Sequence, residues 1–224
     1  MAAQKGVTGA AGALTMAGPM PRTELLSMSH DCEAVLEFWF GAPQGDAAAA
    51  VRGHEALWWG GGAETDAVIR RRFGALRQAA IAGELDAWAS TARGRLALII
   101  LVDQFSRNVC RGSPQAYAHD ALALEWCLDG LRHDYDRALR CVERVFFYMP
   151  LEHAESPPLQ ARCVELMQTL AEQVPAEQRA AFQAFTEHAR GHQDIIRRFG
   201  RFPHRNAVLG RASTPQETEF LARA

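Results

Sequence analysis

The apolar residues of this sequence recur at helical spacing, and no segment shows the sustained alternation of apolar and polar residues that marks a half-buried strand. In residues 65–83, for example, Ile69, Phe73, Leu76 and Ala80 follow one face of a helix. Glycine and proline residues divide such stripes into about eight segments joined mostly by short connections. The sequence therefore predicts an all-α fold of about eight helices packed as antiparallel hairpins.

Several helix ends are marked by residues with known preferences. Gly41 suits the left-handed conformation that ends many helices, and Thr65 is an N-cap candidate. Pro150 predicts the end of a helix, because the residue before a proline is pushed out of helical geometry. Thr214 and Glu217 have the spacing of a capping box. The predicted helices cover approximately residues 31–40, 66–82, 93–109, 113–131, 134–149, 158–173, 175–199 and 214–222.

Length and composition fit one globular domain preceded by a tail. The chain has 224 residues, of which 48% are hydrophobic and 22% are charged, and this is enough for one sizeable core. Residues 1–28 are rich in glycine and alanine, and glycines interrupt the apolar centre that a signal peptide would need. We expect a disordered tail over residues 1–28, with Met28 as an alternative start, and a single all-α domain over residues 29–224.

Charge and cysteine usage narrow the classes of function. The net charge of −2 gives no overall attraction to nucleic acid or to an anionic membrane, so we expect neither partner. The longest apolar run, residues 96–102, is too short to span a bilayer. The five cysteines are scattered without a C-x-x-C pair, as is typical of a reducing cytosol, and no cofactor motif is present. The sequence predicts a soluble cytoplasmic protein without a cofactor.

The first polar cluster lies in "LVDQFSRN", directly after a helical segment that is apolar on all sides. Asp103 continues the buried face of this segment, so the helix should carry a carboxylate into the core. Arg107 lies four residues further on, and Gln104 and Asn108 form a second pair at the same spacing. Two interpretations remain: a buried ion pair that fixes the helix register, or a site in which Asp103, Arg107 and Asn108 face a ligand.

The second polar cluster, in "FFYMPLEHAES", places Glu152, His153 and Glu155 shortly after Pro150. Two carboxylates and an imidazole could act as metal ligands or as a general acid and base. Caps and hydrogen bonds around a proline kink explain the same residues. The sequence leaves both interpretations open.

The third cluster lies in the helix predicted for residues 175–199. His192 is on its apolar face, and His188 lies near that face one turn earlier. The two histidines have the i, i+4 spacing of a helical zinc pair, but the glutamate of the H-E-x-x-H motif is missing between them. We therefore keep His192 as a candidate catalytic residue and expect no bound metal.

The connection after that helix, "GRFPHRNAVLGRAS", is strongly basic. Arg201, His204, Arg205 and Arg211 occur in it without an acidic residue. Cations crowded in this way require anions, which are either carboxylates from elsewhere in the protein or a bound ligand. The loop arginines are therefore either an internal clamp or an anion-binding site.

Four stretches together, "VLEFWFG", "LVDQFSRN", "FFYMPLEHAES" and "DIIRRFGRFPHRNAVLGRASTPQETEFL", closely resemble a bacterial family catalogued as domain-of-unknown-function family 924. The resemblance covers about residues 32–221 and implies an all-α, tetratricopeptide-like stack without an established activity. One departure is "WWGGGAE", where similar chains have a charged segment, and it predicts a more flexible loop here. The motif positions in this chain are Asp103, Gln104, Arg107, Asn108, Pro150, Glu152, His153, Glu155, His192, Phe199, Gly200, Arg201, Phe202, Pro203, Arg205, Asn206, Gly210, Arg211, Ser213 and Thr214.

These clusters support two hypotheses about function. The favoured one is a binding or scaffold protein with a polar groove for a small anionic ligand or a peptide. The alternative is a hydrolase or transferase that acts on an anionic small molecule. The candidate ligand-binding residues are Asp103, Arg107, Asn108, Arg201, Arg205 and Arg211, and the candidate catalytic residues are Glu152, His153, Glu155 and His192.

Overall fold

The structure, a computed structural model, describes residues 22–42 and 53–223, and the side chains of the first helix from residue 31 onward. Within these ranges every regular element is helical, so the predicted all-α class is confirmed. The tetratricopeptide-like arrangement of the helices stays a prediction. The α-helices are α1 (Arg22–Phe40), α2 (Ala63–Ile81), α3 (Ala92–Ile99), α4 (Phe105–Val109), α5 (Asp120–Arg132), α6 (Cys141–His153), α7 (Pro157–Gln173), α8 (Arg179–Phe199) and α9 (Pro215–Leu221).

Helix α1 begins earlier than the sequence predicts. Residues 22–28, which we assigned to a disordered tail, are helical, since leucine, methionine and glutamate favour a helix and neither glycine nor proline interrupts the segment. Residues 1–21 lie outside the described residues. The helix buries Val35 and Trp39 almost completely and ends at Gly41, whose φ of 75° is left-handed as predicted.

The aromatic segment before α2 is anchored to the core. The linker predicted after α1 falls partly on residues 43–52, which lie outside the described residues, whereas Ala56–Gly60 form a π-helical turn. Trp58 is buried, and its indole N–H donates to the backbone carbonyl of Trp39 at 2.8 Å. The predicted flexible loop is therefore fixed at Trp58, while Trp59 stays half exposed.

The starts of α2 and α5 also differ from the predicted ones. Helix α2 begins after Gly62, so Thr65 lies inside its first turn rather than at the N-cap. Acidic residues in that first turn, Glu64 and Asp66, favour this start through the helix dipole. Helix α5 begins at residue 120, because the residues from Pro114 onward first form a short 3-10 turn.

A nearly continuous helical segment from α3 to α4 runs through the core. Thr91 caps its start by accepting a hydrogen bond from the backbone N–H of Gly94 at 3.1 Å. Residues 96–102 are at most 1% exposed, as their all-round apolar character predicts. Between α3 and α4, the stretch Ile100–Gln104 is π-helical, a local irregularity that is frequent at functional sites. Asp103 lies in this stretch and is fully buried.

Helix α6 continues through Pro150, so the prediction that it ends at residue 149 is wrong. A proline in a helix interior removes a backbone hydrogen bond and costs about 3 kcal/mol or more. Beyond it, Leu151 and Glu152 are buried, and His153 contacts Asp103 at 2.8 Å, so tertiary contacts offset this cost. The helical turn after the proline therefore places Glu152 and His153 close to side chains of other helical segments.

Helices α7 and α8 form a hairpin, joined by residues 174–178, and pack closely along each other. Helix α8 ends at Gly200, whose φ of 71° is left-handed, as predicted. The basic loop follows and leads into α9, where Thr214 and Glu217 form both hydrogen bonds of the predicted capping box. The loop is therefore held between two well-defined helix ends.

Two predictions about the whole chain concern membranes and cysteines. None of the helices in the described ranges combines the length and the apolar character needed to cross a bilayer. All five cysteines are free, and none forms a disulfide.

Candidate functional site

Three adjoining hollows meet around His153 and together form what we call the histidine cleft. The first hollow, of about 160 Å³, and the second, of about 220 Å³, share Arg107, Arg111 and His153 in their walls. The third, of about 590 Å³, shares Tyr117, His153 and Arg205 with the second. The cleft thus unites the polar residues of α4 and α6 with the basic loop.

The floor of the cleft is a buried contact between Asp103 and His153. The Nδ1 atom of His153 lies 2.8 Å from Oδ1 of Asp103, and Gln104 donates to the other carboxylate oxygen at 2.5 Å. Burial opposes ionisation of Asp103, but Arg107 and the hydrogen bonds outweigh it and lower the pKa of Asp103 to about 2. Burial and the charge of Arg107 lower the pKa of His153. The neutral ring therefore donates Nδ1–H to Asp103 and leaves Nε2 out of this contact.

Arg107 connects this floor to α5. The ion pair of the first interpretation is present, with 3.4 Å between Nη2 of Arg107 and Oδ1 of Asp103. The shorter contacts of Arg107 go to Asp120, whose two carboxylate oxygens accept hydrogen bonds at 2.9 and 3.1 Å. One guanidinium group is therefore shared between two carboxylates.

Arg205 is a buried cation whose charge is only weakly compensated by nearby carboxylates. It is 6% exposed, and the carboxylate closest to it among the described residues is that of Asp120, with 3.5 Å between Nη1 and Oδ2. Its Nε atom has no hydrogen-bond partner among the described residues, and the guanidinium stacks over the rings of Tyr117 and Phe202 at 4.8 and 4.4 Å. Burial, followed by the charge of Arg107, lowers the pKa of Arg205. Around Arg205, the positive charges are therefore not balanced by carboxylates.

Arg111 and Asn108 form a wall of the first hollow and are already paired. Arg111 donates to both carboxylate oxygens of Asp66 at 2.8 and 3.0 Å, and Asn108 donates to the same carboxylate at 2.9 Å. The hydrogen bond from Arg111 is the main reason that the pKa of Asp66 is lowered. Both side chains therefore already have a carboxylate partner.

Glu152, in the last turn of α6, faces two imidazoles from α8. Its Oε1 atom lies 3.0 Å from Nδ1 of His192 and 3.5 Å from Nε2 of His188. The first contact has the length of a hydrogen bond but not its angles, since Nδ1 of His192 has no hydrogen-bond partner in the described part of the chain. Glu152 is 2% exposed, whereas more than half of the His188 side chain is in contact with solvent. One possible donor atom from each of the three side chains lies within 4.8 Å of those from the other two.

The other two loop arginines bind carboxylates through two hydrogen bonds each. Arg201 donates to both oxygens of Glu217 at 2.6 and 2.7 Å, and Arg211 donates to both oxygens of Glu155 at 2.7 and 3.0 Å. The hydrogen bonds from Arg201 lower the pKa of Glu217 to about 2. Burial opposes ionisation of Glu155, but Arg211 outweighs it, so the pKa of Glu155 is also lowered. We call these two ion pairs the loop clamp.

The cleft and the loop clamp lie within a segment that matches a known family. Residues 35–224 match the model of DUF924, which is described as a bacterial protein of unknown function. The chain belongs to this family. It is also similar to the solved structure of a protein of unknown function from Agrobacterium tumefaciens, with 34% sequence identity and a TM-score of 0.74. That similarity covers 88% of this chain and 99% of the other chain. No curated protein matches the chain.

Most of the site residues predicted from the sequence lie in or beside the cleft. The residues that do so are Asp103, Arg107, Asn108, Glu152, His153, His192 and Arg205. Arg201 instead lines a separate surface hollow with Glu217. Glu155 lines the third hollow of the cleft, but its carboxylate is already paired with Arg211. Within the basic loop, Arg201 and Arg211 therefore belong to the loop clamp, whereas Arg205 lines the cleft.

Sequence reasoning missed three residues of the cleft, Arg111, Tyr117 and Asp120. None of them belongs to a motif or to a run of polar residues, and Asp120 reaches Arg107 only because of the way α5 packs. His188 has the spacing of a helical zinc pair with His192 but is not among the site residues that the sequence predicts. A signal for it was present, since it lies one helical turn before His192.

Proposed function

We propose that the histidine cleft binds a small anionic ligand that carries a phosphate or carboxylate group. The observation that carries this proposal is Arg205, a buried guanidinium whose closest carboxylate, Asp120, is already engaged by Arg107. Arg107, Arg111 and His204 line the same hollow. A planar guanidinium with unused N–H groups is suited to two parallel hydrogen bonds with a carboxylate or phosphate.

The energetics of burial favour a ligand at this position. Removing a charged group from water costs several kcal/mol unless close, well-oriented partners compensate for it. Arg201 and Arg211 have such partners within the protein, whereas Arg205 has one contact of 3.5 Å and two aromatic rings. An anion between Arg205 and Arg107 would supply the missing compensation.

The dimensions of the cleft fit a small molecule. The second hollow, of about 220 Å³, has the space for an anionic group beside Arg205. The adjoining third hollow, of about 590 Å³, is lined largely by apolar residues such as Leu124, Leu159 and Leu209. We therefore place the anionic group in the second hollow and the organic remainder of the ligand in the third.

Thermal unfolding with and without anions tests this proposal. Inorganic phosphate, pyrophosphate and citrate are added in turn to the parent protein, against sodium chloride of the same ionic strength. A ligand that binds the folded state raises the Tm by mass action, so we expect at least one of these anions to raise it. In Arg205→Gln, the rise should be lost.

Arg197→Gln is the matched control, because Arg197 is an exposed arginine that pairs with Asp194 at 3.3 Å outside the cleft. This variant should keep the anion-dependent rise in Tm. An unchanged Tm of the parent with all three anions, or a full rise in Arg205→Gln, would contradict the proposal.

One observation supports the second candidate function, a hydrolase or transferase of an anionic small molecule. His153 borders all three hollows, and Asp103 fixes its ring through Nδ1, as a carboxylate orients a catalytic histidine. We would then expect turnover of p-nitrophenyl phosphate or p-nitrophenyl acetate that is lost in His153→Gln and kept in His133→Gln, an exposed control. Equal rates in both variants would exclude His153 from the reaction.

A further inference from the structure

Glu152 differs from the other buried carboxylates in the described part of the chain. Those carboxylates each have an arginine nitrogen within 4 Å; they are Asp66, Asp103, Asp136, Glu143 and Glu217. Glu152 has no arginine at that distance and instead lies beside His188 and His192. A buried carboxylate that lacks an arginine needs another cation or hydrogen bonds to compensate for its charge.

The positions of the three side chains match those of ligands around one ion. With bonds of 2.0–2.2 Å, neighbouring ligand atoms are separated by about 3.3–3.6 Å in a tetrahedral site and by about 3 Å in an octahedral one. The distances from Oε1 of Glu152 to the two imidazole nitrogens, 3.0 and 3.5 Å, fall in this range. The imidazoles are one helical turn apart, and their ring centroids are separated by 4.6 Å.

We propose that Glu152, His188 and His192 bind one divalent transition-metal ion, with Zn²⁺ as the best match to two imidazoles and one carboxylate. Three protein ligands leave at least one coordination position for water or a bound molecule. Imidazole nitrogen favours Zn²⁺ and related transition metals over Mg²⁺ and Ca²⁺, which prefer oxygen ligands. This inference goes beyond the proposed anion site and does not depend on it.

A simple ion pair between Glu152 and a protonated histidine accounts less well for the geometry. A protonated His192 would direct Nδ1–H at the carboxylate. This nitrogen has no hydrogen-bond partner within residues 22–42 and 53–223, although the carboxylate oxygen is only 3.0 Å away. Ligand atoms that approach one another without bonding are expected where each one points toward a shared ion.

The surroundings position the two imidazoles and give access to the site. The ring of Trp59 lies 6.0 Å from that of His188, and the ring of Phe202 lies 5.1 Å from that of His192. Glu152 and His188 line the first hollow, and His192 lines the second. An ion can therefore reach the three side chains from the cleft.

The sequence predicts no bound metal, because it shows no complete set of metal ligands. The third ligand, Glu152, comes from α6, 36 residues before His188. The expectation and this proposal disagree, and one measurement decides between them.

That measurement is calorimetric titration with Zn²⁺ alone, using tag-free protein that has been treated with EDTA and dialysed into a buffer without phosphate. We expect one ion per chain with a Kd in the micromolar range or tighter. His188→Ala should weaken binding by at least about tenfold, in line with losses seen even when groups behind the ligands are changed. This variant should fold normally, because the His188 side chain is 57% exposed. Glu152→Gln should give a comparable loss.

His133→Ala is the matched control, since His133 is also an exposed histidine beside a carboxylate, with 3.5 Å between its Nδ1 and Oδ1 of Asp129. It should bind Zn²⁺ like the parent.

Co²⁺ in place of Zn²⁺ should give no thiolate charge-transfer band, which excludes binding by the free cysteines. Millimolar or weaker Zn²⁺ binding by the parent, unchanged affinity in both His188→Ala and Glu152→Gln, or a thiolate band would each overturn the proposal. The anion experiment above is run without Zn²⁺, so either proposal can fail without the other.

Discussion

The loop clamp and the histidine cleft use the same loop and the same residue type in opposite ways. In the clamp, Arg201 and Arg211 each bind one carboxylate through two hydrogen bonds of 3.0 Å or less. In the cleft, Arg205 is more deeply buried than either of them, yet its one carboxylate contact is 3.5 Å long and is shared with Arg107. Burial and pairing therefore do not increase together along this loop.

The difference separates charges that maintain structure from charges that remain available to a ligand. A guanidinium that is saturated by a carboxylate holds two chain segments together and gains little from a further anion. A buried guanidinium without such a partner is costly in the unbound protein, and a ligand can reduce that cost. Arg201 and Arg211 therefore support the internal clamp that the sequence suggested, and Arg205 supports the anion site.

The largest effect is expected at the floor of the cleft. Asp103→Ala leaves Arg107 with one carboxylate and His153 without its hydrogen-bond acceptor, both in a buried environment. Breaking a buried ion pair from one side costs about 3 to 5 kcal/mol, so we expect a loss of this size in the free energy of unfolding, measured with urea. Asp194→Ala removes an exposed partner and should cost less than about 1 kcal/mol. Equal losses in the two variants would contradict the buried role of Asp103.

The second largest effect is expected in the loop clamp. Arg211→Gln removes two charge-assisted hydrogen bonds to Glu155, one to the carbonyl of Phe202 and one to Oδ1 of Asn206. Since the pair is partly exposed, we expect a loss of about 1 to 3 kcal/mol in the free energy of unfolding. The loss should be the same with and without phosphate. A loss that phosphate restores would place Arg211 in the ligand site instead of the clamp.

The pH dependence of the clamp gives a third test. The pKa of Glu217 is lowered to about 2 in the folded protein, whereas an unfolded glutamate titrates near about 4.3. A lowered folded-state pKa contributes stability that is present above the unfolded pKa and is lost as the pH falls toward the folded pKa. The Tm difference between the parent and Glu217→Gln should therefore be constant above about pH 5 and shrink between about pH 5 and pH 2. A difference that stays constant in acid would show that the charge of Glu217 does not matter.

The smallest effect on stability is expected at Arg205 itself. In the absence of anions, Arg205→Gln removes a poorly compensated buried charge together with two ring contacts, and these changes oppose each other. We expect its free energy of unfolding in urea to lie within about 1 kcal/mol of the parent. A loss as large as that of Arg211→Gln would place Arg205 in the clamp, and the contrast between the two regions would disappear.

The sequence alone predicted the all-α class, the family and several local details. Helical periodicity and helix caps depend on residues within a few positions of one another, so Gly41, Gly200 and the capping box of Thr214 and Glu217 could be predicted. The buried position of Asp103 followed in the same way from the apolar run before it.

Only the tertiary structure decided which charges meet. The side chains of Asp120 and Arg107 are paired because α5 packs beside α4, and no local pattern encodes that distance. Tertiary contacts also carry α6 through Pro150, and this extra turn places Glu152 beside the histidines of α8. Partners across helices depend on packing to within about an ångström, because hydrogen bonds weaken steeply with distance and angle. The sequence could therefore supply the candidate residues, whereas the choice between clamp and site among the loop arginines depended on helix packing.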